Sequence, residues 1–229
     1  MKKLLLFSAA IVTLMAGASC ENNVTGGSVS IKSDKDSLSY AIGVSMGSQL
    51  KSWGFLDNDI NPAALNKGIK EAFSGQKTSI SGQEATEIMQ KYVMTVIPKR
   101  NRDNSIRFLE EAQKEANAKV TPSGIVYVIV DEGDVNLKPT INDTVTVDYE
   151  GKFSDGKVFD SSYERGVPAT FPLNGVIEGW KEGMQLVGKG GHIKLWIPSE
   201  LAYGEYGSGP IGGNQALFFD VKVKDVTRK

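Results

Sequence analysis

Residues 144–150 read Thr-Val-Thr-Val-Asp-Tyr-Glu, and this stretch decides the fold of the chain around it. Polar and apolar side chains alternate at every second position, which is the period of a β-strand with one buried face. Val145, Val147 and Tyr149 therefore share one face of the predicted strand, and we expect the core of a sheet on that side. The stretch indicates a β-rich region rather than a helical one.

Similar strand patterns lie on both sides of this stretch. β-branched or alternating runs predict three further strands, at residues 125–130, 192–197 and 216–226. Asp155-Gly156 is a typical hairpin turn, and residues 176–187 can form one short helix. These patterns predict an α+β domain over residues 120–229, in which a twisted antiparallel sheet wraps on one short helix.

Upstream of the sheet, residues 36–119 follow the 3.6-residue period of helices. Side chains that typically begin a helix occur three times, at Asp36-Ser37, Asn61-Pro62 and Ser81-Gly82-Gln83-Glu84. After the third start a long helix is predicted through residue 118. We expect it to kink near residues 95–97, because Pro98 lacks an amide hydrogen.

The length of that last helix raises the question of what covers its apolar stripe. About 35 residues at 1.5 Å each span roughly 50 Å, more than a small helical domain can bury by itself. One interpretation is a three-helix bundle with one overhanging helix. The other is a homodimer, in which the helices of two copies interlock.

The composition excludes several classes of partner and site. Of 229 residues, 40% are hydrophobic and 23% are charged, as in an ordinary globular protein. Lysine and arginine number 26 against 27 acidic residues, so the chain has no basic field and we expect no nucleic-acid partner. One cysteine excludes an internal disulfide and one histidine excludes a His-rich metal site. Carboxylate-only sites stay open by this count, but no motif requires a metal or a cofactor and we predict neither.

The beginning of the chain has the pattern of a secretory signal. Two lysines precede residues 4–15, which are mostly apolar but too few to cross a hydrocarbon core of about 30 Å. The run Gly17-Ala18-Ser19-Cys20 resembles a bacterial lipobox, so residues 1–19 are predicted to be removed and Cys20 to be lipidated. Ordinary signal-peptidase cleavage beside an incidental cysteine is the alternative. Residues 20–35 are polar and rich in glycine and serine, and they predict a flexible tether.

The sheet region contains no pattern for covalent chemistry. Residues 120–229 have no Gly-x-Ser-x-Gly elbow and no phosphate-binding glycine loop, so hydrolase and kinase activities lack support. His192 lies in a strand-like segment, where a structural role is favoured over a catalytic one. Aromatic residues stand beside glycines throughout this region, and taken alone they favour core packing over a binding site.

The order of these aromatic motifs carries a family resemblance. The motifs are Asp148-Tyr149-Glu150-Gly151, Gly156-Lys157-Val158-Phe159-Asp160-Ser161-Ser162, Phe171, Val176-Ile177-Glu178-Gly179-Trp180, Ile197-Pro198-Ser199-Glu200-Leu201-Ala202-Tyr203-Gly204 and Phe219-Asp220-Val221. In this order they strongly resemble the FK506-binding (FKBP) type of peptidyl-prolyl isomerase over essentially all of residues 120–229. Residues 40–47 and 65–69 resemble the N-terminal dimerisation domain of the macrophage infectivity potentiator-like members of that family.

The resemblance implies an apolar pocket for a substrate proline. Trp180 forms its floor, and the walls consist of Tyr149, Phe159, Phe171, Val176, Ile177 and Phe219. The backbone amide of Ile177 and the hydroxyl of Tyr203 are implied to donate hydrogen bonds to substrate carbonyls.

The resemblance also implies one charged residue in the pocket, Asp160. Asp160 accepts a hydrogen bond from Tyr149 and pairs with Arg165, and either structural pairing or a direct effect on the rotating amide can be its role. In the glycine-rich segment 206–214, which differs from the family's usual loop, Ile211 is expected to keep an apolar contact with substrate.

The function implied is cis/trans isomerisation of X–Pro bonds in unfolded, exported polypeptides. We expect a homodimer through residues 36–119, anchored by lipid to an outer membrane and facing the periplasm, and inhibited by macrolides. A holdase chaperone that binds unfolded chains between the helical arms of the dimer is the alternative. A binding module without turnover is disfavoured, because the residues of the pocket motifs are retained.

Overall fold

The computed structural model describes residues 30–229 of the chain. The predicted signal peptide, the predicted lipidation site Cys20 and residues 20–29 of the predicted tether lie outside the described residues. The chain divides into two compact units, with the boundary between Tyr40 and Ala41. None of the helices in the described part combines the length and the apolar character needed to cross a membrane.

The first helix, α1, spans Asp34–Ser52. The prediction that Asp36 caps it is wrong in one detail, because Ser33 precedes the helix and Asp36 is its third residue. The Asp36 carboxylate accepts from the Ser33 amide at 3.0 Å, and the Asp36 amide donates to the Ser33 hydroxyl at 3.2 Å. This reciprocal pair is a capping box, which satisfies two amides that an open helix end leaves unpaired.

The next two helices begin where the sequence predicts. Helix α2 spans Pro62–Phe73 and α3 spans Gly82–Lys91. The Asn61 side chain accepts from two amides of the first turn of α2, and the Ser81 hydroxyl accepts from the Glu84 amide at 3.1 Å. Both predicted starts are confirmed, since these short polar side chains replace the missing helical partners.

The predicted irregularity near Pro98 takes the form of a π-helical turn. Helix α3 continues through this turn, Tyr92–Val96, into α4, Ile97–Ala112. The Ile97 amide donates to the carbonyl of Tyr92, five residues back, where an α-helix would use the fourth. The wider turn takes in an extra residue, so the helix absorbs Pro98 without ending.

The rest of the chain contributes seven strands within residues 30–229: β1 Lys119–Val120, β2 Val126–Asp131, β3 Thr144–Lys152, β4 Val158–Ser161, β5 Ala169–Pro172, β6 His192–Ile197 and β7 Leu217–Thr227. They form one antiparallel sheet in the order β1-β2-β6-β7-β3-β4, with β5 also paired to β3. A one-turn helix, α5, spans Ser162–Arg165. The alternation that predicted β3 is confirmed, because Val145 and Val147 are fully buried and Tyr149 is nearly so.

One helix, α6, lies directly on this sheet and spans Glu178–Met184, which is shorter than the predicted 176–187. A Cβ atom at Gly179 would lie 2.3 Å from Ile197 Cγ2, and one at Gly183 would lie 2.6 Å from Leu195 Cδ1. The two glycines therefore let α6 approach β6 more closely than any larger residue permits. The predicted α+β fold, with helices first and then a sheet on one short helix, is confirmed.

Helix α4 also packs on the sheet. Ala112 of α4 is buried in a small cluster with Val126 and Trp196, and Phe108 and Leu109 pack against it. By contrast, none of the described residues 30–96 is buried, and Ile97 is the first buried residue along the described chain. The contacts of α4 therefore cross the domain boundary that the sequence predicts near residue 119.

Candidate active site

A cavity of about 430 Å³ opens between α6 and the concave side of the sheet. Its lining consists of Tyr149, Phe159, Asp160, Phe171, Gly175, Val176, Ile177, Trp180, Tyr203 and Phe219. These residues come from β3, β4, β5, β7, α6, the segment just before α6 and, for Tyr203, the segment between β6 and β7. The fold thus brings together side chains that are up to 70 positions apart in sequence, from Tyr149 to Phe219.

Trp180 lines the cavity and is almost completely buried, with 4% of its surface exposed. Three rings stand edge-on to the indole: Tyr149 at 5.2 Å, Phe219 at 5.3 Å and Phe171 at 5.7 Å between centroids. Such edge-to-face contacts hold aromatic rings in defined orientations. The indole Nε1 is buried and has no hydrogen-bond partner among the described residues.

The polar part of the cavity is a closed network of three side chains. The Tyr149 hydroxyl donates to Asp160, which also forms an ion pair with Arg165. Arg165 Nη2 donates to the Tyr149 hydroxyl at 3.0 Å, and its guanidinium carbon lies 5.4 Å from the centre of the Tyr149 ring. Burial, together with the hydrogen bond to Asp160, raises the pKa of Tyr149 to about 12. Tyr149 therefore remains protonated at neutral pH and keeps donating to the carboxylate.

Two hydrogen-bond donors stand where the cavity meets solvent. Ile177 is the residue before α6, and its amide donates to no partner within residues 30–229. The Tyr203 side chain lines the cavity and is 38% exposed. Burial and the nearby charge of Asp160 raise the pKa of Tyr203, so its hydroxyl also remains a donor at neutral pH.

Comparison of the chain with models of known protein families shows which family it belongs to. A family model described as FKBP-type peptidyl-prolyl cis-trans isomerase matches residues 136–224. A second, described as the domain amino-terminal to FKBP-type peptidyl-prolyl isomerase, matches residues 35–129. The chain belongs to the FKBP-type peptidyl-prolyl cis-trans isomerases. The resemblance seen in the order of the sequence motifs is thus confirmed.

Relatives of this FKBP-type isomerase match it over most of its length. Outer membrane protein MIP of Legionella longbeachae is 36% identical and covers 99% of each chain. The FKBP-type peptidyl-prolyl cis-trans isomerase FkpA of Escherichia coli K12 is 36% identical, over 94% of this chain and 84% of FkpA. The crystal structure of FkpA from Escherichia coli superposes with a TM-score of 0.59, covering 86% of this chain and 99% of that one.

Two residues of the expected site lie outside the lining of the isomerase cavity. Arg165 reaches the cavity only through Asp160 and Tyr149. Ile211 is 6% exposed and packs into the main core of the sheet region. Its apolar side chain is therefore used for folding in this structure, since a buried side chain of this kind stabilises the loop that carries it.

Two glycines shape the cavity, and no sequence pattern predicts a role for either of them there. Gly175 contributes to the lining. A Cβ atom at Gly151 would lie 2.7 Å from Phe159 Cζ and 3.0 Å from Phe219 Cε1, so glycine is needed where these two rings meet. A glycine inside a strand pattern signals such a close approach. Within residues 30–229 no cluster of three or more His, Cys, Asp or Glu side chains is arranged to hold a metal ion.

Proposed function

We propose that this isomerase accelerates rotation about X–Pro bonds in exported polypeptides as they fold. The observation that carries the proposal is the cavity itself, which is walled by aromatic rings and whose single carboxylate is already paired. Uncatalysed rotation crosses a barrier of roughly 18–20 kcal/mol and takes tens to hundreds of seconds, which is slow enough to limit folding. A catalyst of this step therefore has a clear use outside the cytoplasm.

The cavity suits the transition state of this rotation. A twisted amide loses resonance and charge separation, so an apolar surface stabilises it relative to the planar amide in water. Each 1.4 kcal/mol of such differential stabilisation gives about tenfold in rate, and about 5–7 kcal/mol would give roughly 10⁴ to 10⁵. The reaction makes and breaks no covalent bond, so no nucleophile and no proton transfer are required.

The positions of the lining residues support a role for each. The proline ring stacks on Trp180 between the rings of Tyr149, Phe171 and Phe219, with Phe159 and Val176 completing the wall. The free amide of Ile177 and the hydroxyl of Tyr203 donate to substrate carbonyls and orient the chain. Asp160, tied to Tyr149 and Arg165, presents a fixed negative charge beside the rotating carbonyl rather than acting as a base.

The test is a protease-coupled isomerisation assay with a proline tetrapeptide on the full chain. Phe159→Ala removes one wall of the cavity and should lower kcat/KM at least about tenfold, the rate equivalent of about 1.4 kcal/mol. Tyr206→Ala is the matched control, because Tyr206 is an aromatic residue that is 90% exposed outside the lining. An unchanged rate in Phe159→Ala, with a native circular dichroism spectrum, would remove the cavity from the mechanism.

We also propose a homodimer through residues 36–119. Helices α1, α2 and α3 contain no buried residue, although α2 and α3 have apolar residues at helical spacing and α1 has several apolar residues. Exposed apolar side chains in this region include Ile42, Val44, Leu65, Ile69, Phe73, Ile88 and Met89. A second copy offers the same side chains in return, which is how a two-fold interface closes on itself. We also propose a division into a helical domain, residues 36–119, and an isomerase domain from residue 120. The support is the contrast between the exposed side chains of α1–α3 and the buried core of the sheet region.

Finally, we propose that Cys20 becomes the lipidated first residue and holds the protein in the cell envelope. The name of the Legionella longbeachae relative, an outer membrane protein, supports an outer-membrane location for this chain too. Two or more acyl chains give stable anchoring where one gives only marginal binding. Labelled palmitate should enter the wild-type protein in cells and not the Cys20→Ser variant. Equal labelling of both would contradict the assignment.

A further inference from the structure

The loop that carries Tyr203 is closed at its base by backbone hydrogen bonds. We define it as the Tyr203 loop, residues 203–214, which leads from the segment after β6 into β7. The Asn214 amide donates to the carbonyl of Gly204 at 2.9 Å, and the Gly207 amide donates to the carbonyl of Tyr203 at 3.1 Å. The far end of the loop is therefore bonded to the residue next to Tyr203.

The two sides of the Tyr203 loop also pack closely against each other. A Cβ atom at Gly213 would lie 1.8 Å from the carbonyl oxygen of Glu205. Asn214 has a φ of 59°, a left-handed conformation that few residues other than glycine adopt. A displacement of Asn214 must therefore shift Gly204, and with it Tyr203.

Helix α4 holds this base from outside the sheet. The Ser105 hydroxyl donates to the Asn214 carbonyl at 2.8 Å and accepts from the Ala216 amide at 2.7 Å. Asn101, one turn earlier on the same helix face, donates through Nδ2 to the Gly213 carbonyl at 2.9 Å. Ser105 is 7% exposed and Asn101 is 8% exposed, so water does not readily replace either side chain.

We propose that Ser105 and Asn101 are positioning residues for the isomerase site and set the place of Tyr203 through the base of its loop. The proposal rests on the proposed function, because it assigns Tyr203 a contact with substrate. The Ser105 hydroxyl both donates and accepts, and its loss leaves one carbonyl and one amide buried without partners. The active site is thus completed by a helix that belongs, in sequence, to the N-terminal half of the chain.

The first measurement compares Ser105→Ala with two controls in the full chain. Loss of a buried hydrogen bond is worth about tenfold in an equilibrium, and we expect kcat/KM for a proline tetrapeptide to fall about five- to tenfold. Ser105→Thr retains the hydroxyl and should stay within about twofold of wild type. Arg102→Ala, at an exposed position of the same helix, should leave kcat/KM unchanged.

The second measurement follows the loop directly. Amide hydrogen exchange at Asn214 and Ala216 should quicken in Ser105→Ala and not in Arg102→Ala, because Ser105 bonds to the backbone of both residues and Arg102 bonds to neither. Unchanged exchange at both amides would overturn the positioning role, whatever the rate of turnover. A wild-type chain without isomerase activity would overturn the proposed function instead, and the exchange rates would still decide whether α4 holds the loop.

A double variant separates action through Tyr203 from a general loss of stability. If Ser105 acts through Tyr203, Ser105→Ala should lower kcat/KM much less in a Tyr203→Phe background than in wild type. Equal reductions in both backgrounds would show that Ser105 does not act through Tyr203 and would overturn the proposal.

Discussion

Helices α1–α3 and the sheet region use similar apolar side chains in opposite ways. Val147 of β3 is fully buried and packs in the core, whereas Ile42 of α1 is 52% exposed and Phe73 of α2 is 94% exposed. Val147 stands at the two-residue period of β3, and Phe73 stands at the helical period of α2, four and eight residues after Ile69 and Leu65. Side-chain period therefore predicts which element forms, but the element is stable only where something covers its apolar face.

The same contrast holds for glycine. At Gly179 in α6 an added Cβ atom would overlap Ile197, whereas at Gly82 in α3 it would meet no atom within 4 Å. Close packing makes one glycine indispensable, and open surroundings make the other replaceable. The sheet region thus buries its apolar side chains within one chain, while α1–α3 leave theirs exposed.

The largest expected effect concerns the second copy of the chain that we propose to cover α1–α3. Ile42→Glu would place a charge in the proposed dimer interface and should weaken self-association at least about 100-fold, or about 2.8 kcal/mol. Val135→Glu is the matched control, because Val135 is equally exposed, at 52%, but lies in the sheet region. Sedimentation velocity over a range of concentrations measures the change. If wild type sediments as a single monomeric species, the proposed dimer would be contradicted, since α1–α3 would then be stable with their apolar side chains exposed.

The next effect contrasts the two glycines. Gly179→Ala forces a methyl group against Ile197 and should lower the free energy of unfolding by about 1–3 kcal/mol, the usual cost of overpacking. Gly82→Ala, in open surroundings, should change it by no more than about 0.5 kcal/mol. Urea unfolding followed by tryptophan fluorescence compares them. Equal destabilisation by both substitutions would contradict the close packing of α6 on β6.

A smaller effect concerns two carboxylates, one in each region. Hydrogen bonds from the Thr140 amide and from Arg228 outweigh burial and hold the pKa of Asp143 far below its ordinary value. Around Asp59, burial raises the pKa, but hydrogen bonds from Leu56, Tyr92 and Arg100 lower it by more. The net shift at Asp59 is smaller. A lowered pKa stabilises the fold above the unfolded value of about 3.9, and this stabilisation is lost as pH falls towards the folded value.

Asp143→Asn should therefore unfold more easily than wild type at pH 7 but lose less stability between about pH 4 and pH 2. Asp59→Asn should show the same pattern with a smaller amplitude. Urea midpoints across this pH range provide the measurement. A wild-type curve and an Asp143→Asn curve that run parallel would show that Asp143 does not carry the acid sensitivity.

The smallest expected effect is a titration within the cavity. Because the folded pKa of Tyr149 is about 12, against about 10 for a free tyrosine, its neutral form stabilises the fold below about pH 10. That stabilisation is lost as pH rises towards about 12. In an absorbance titration of tyrosinate, Tyr149→Phe should remove one group from the high-pH end. Loss of a group that titrates near pH 10 instead would contradict the buried network with Asp160 and Arg165.

Much of the secondary structure follows from local signals in the chain. Asn61 and Ser81 cap the helices that they predicted, and the alternation over residues 144–150 gives the buried face of β3. These predictions succeed because caps and strand faces depend on residues within a few positions of each other. The π-helical turn at Tyr92–Val96 was predicted only as a kink near Pro98, since how a helix absorbs a proline depends on what packs around it.

The candidate site divides in the same way. The resemblance of the motifs named the residues that line the cavity, but Gly175 and Gly151 were given no role there, because a glycine's role lies in the space it leaves open. No sequence pattern predicts the hydrogen bond from Ser105 to Asn214, since these residues are 109 positions apart.

The order of residues by itself determined where most of the helices and strands form and which motifs the chain shares with its family. Only the tertiary structure decided that Ile211 packs in the core, that α6 packs closely on β6 at two glycines, and that α4 forms hydrogen bonds with the base of the Tyr203 loop. The physical reason is range. Backbone preference and side-chain period act over a few residues, whereas burial, close approach and buried hydrogen bonds depend on which distant segments the fold brings into contact.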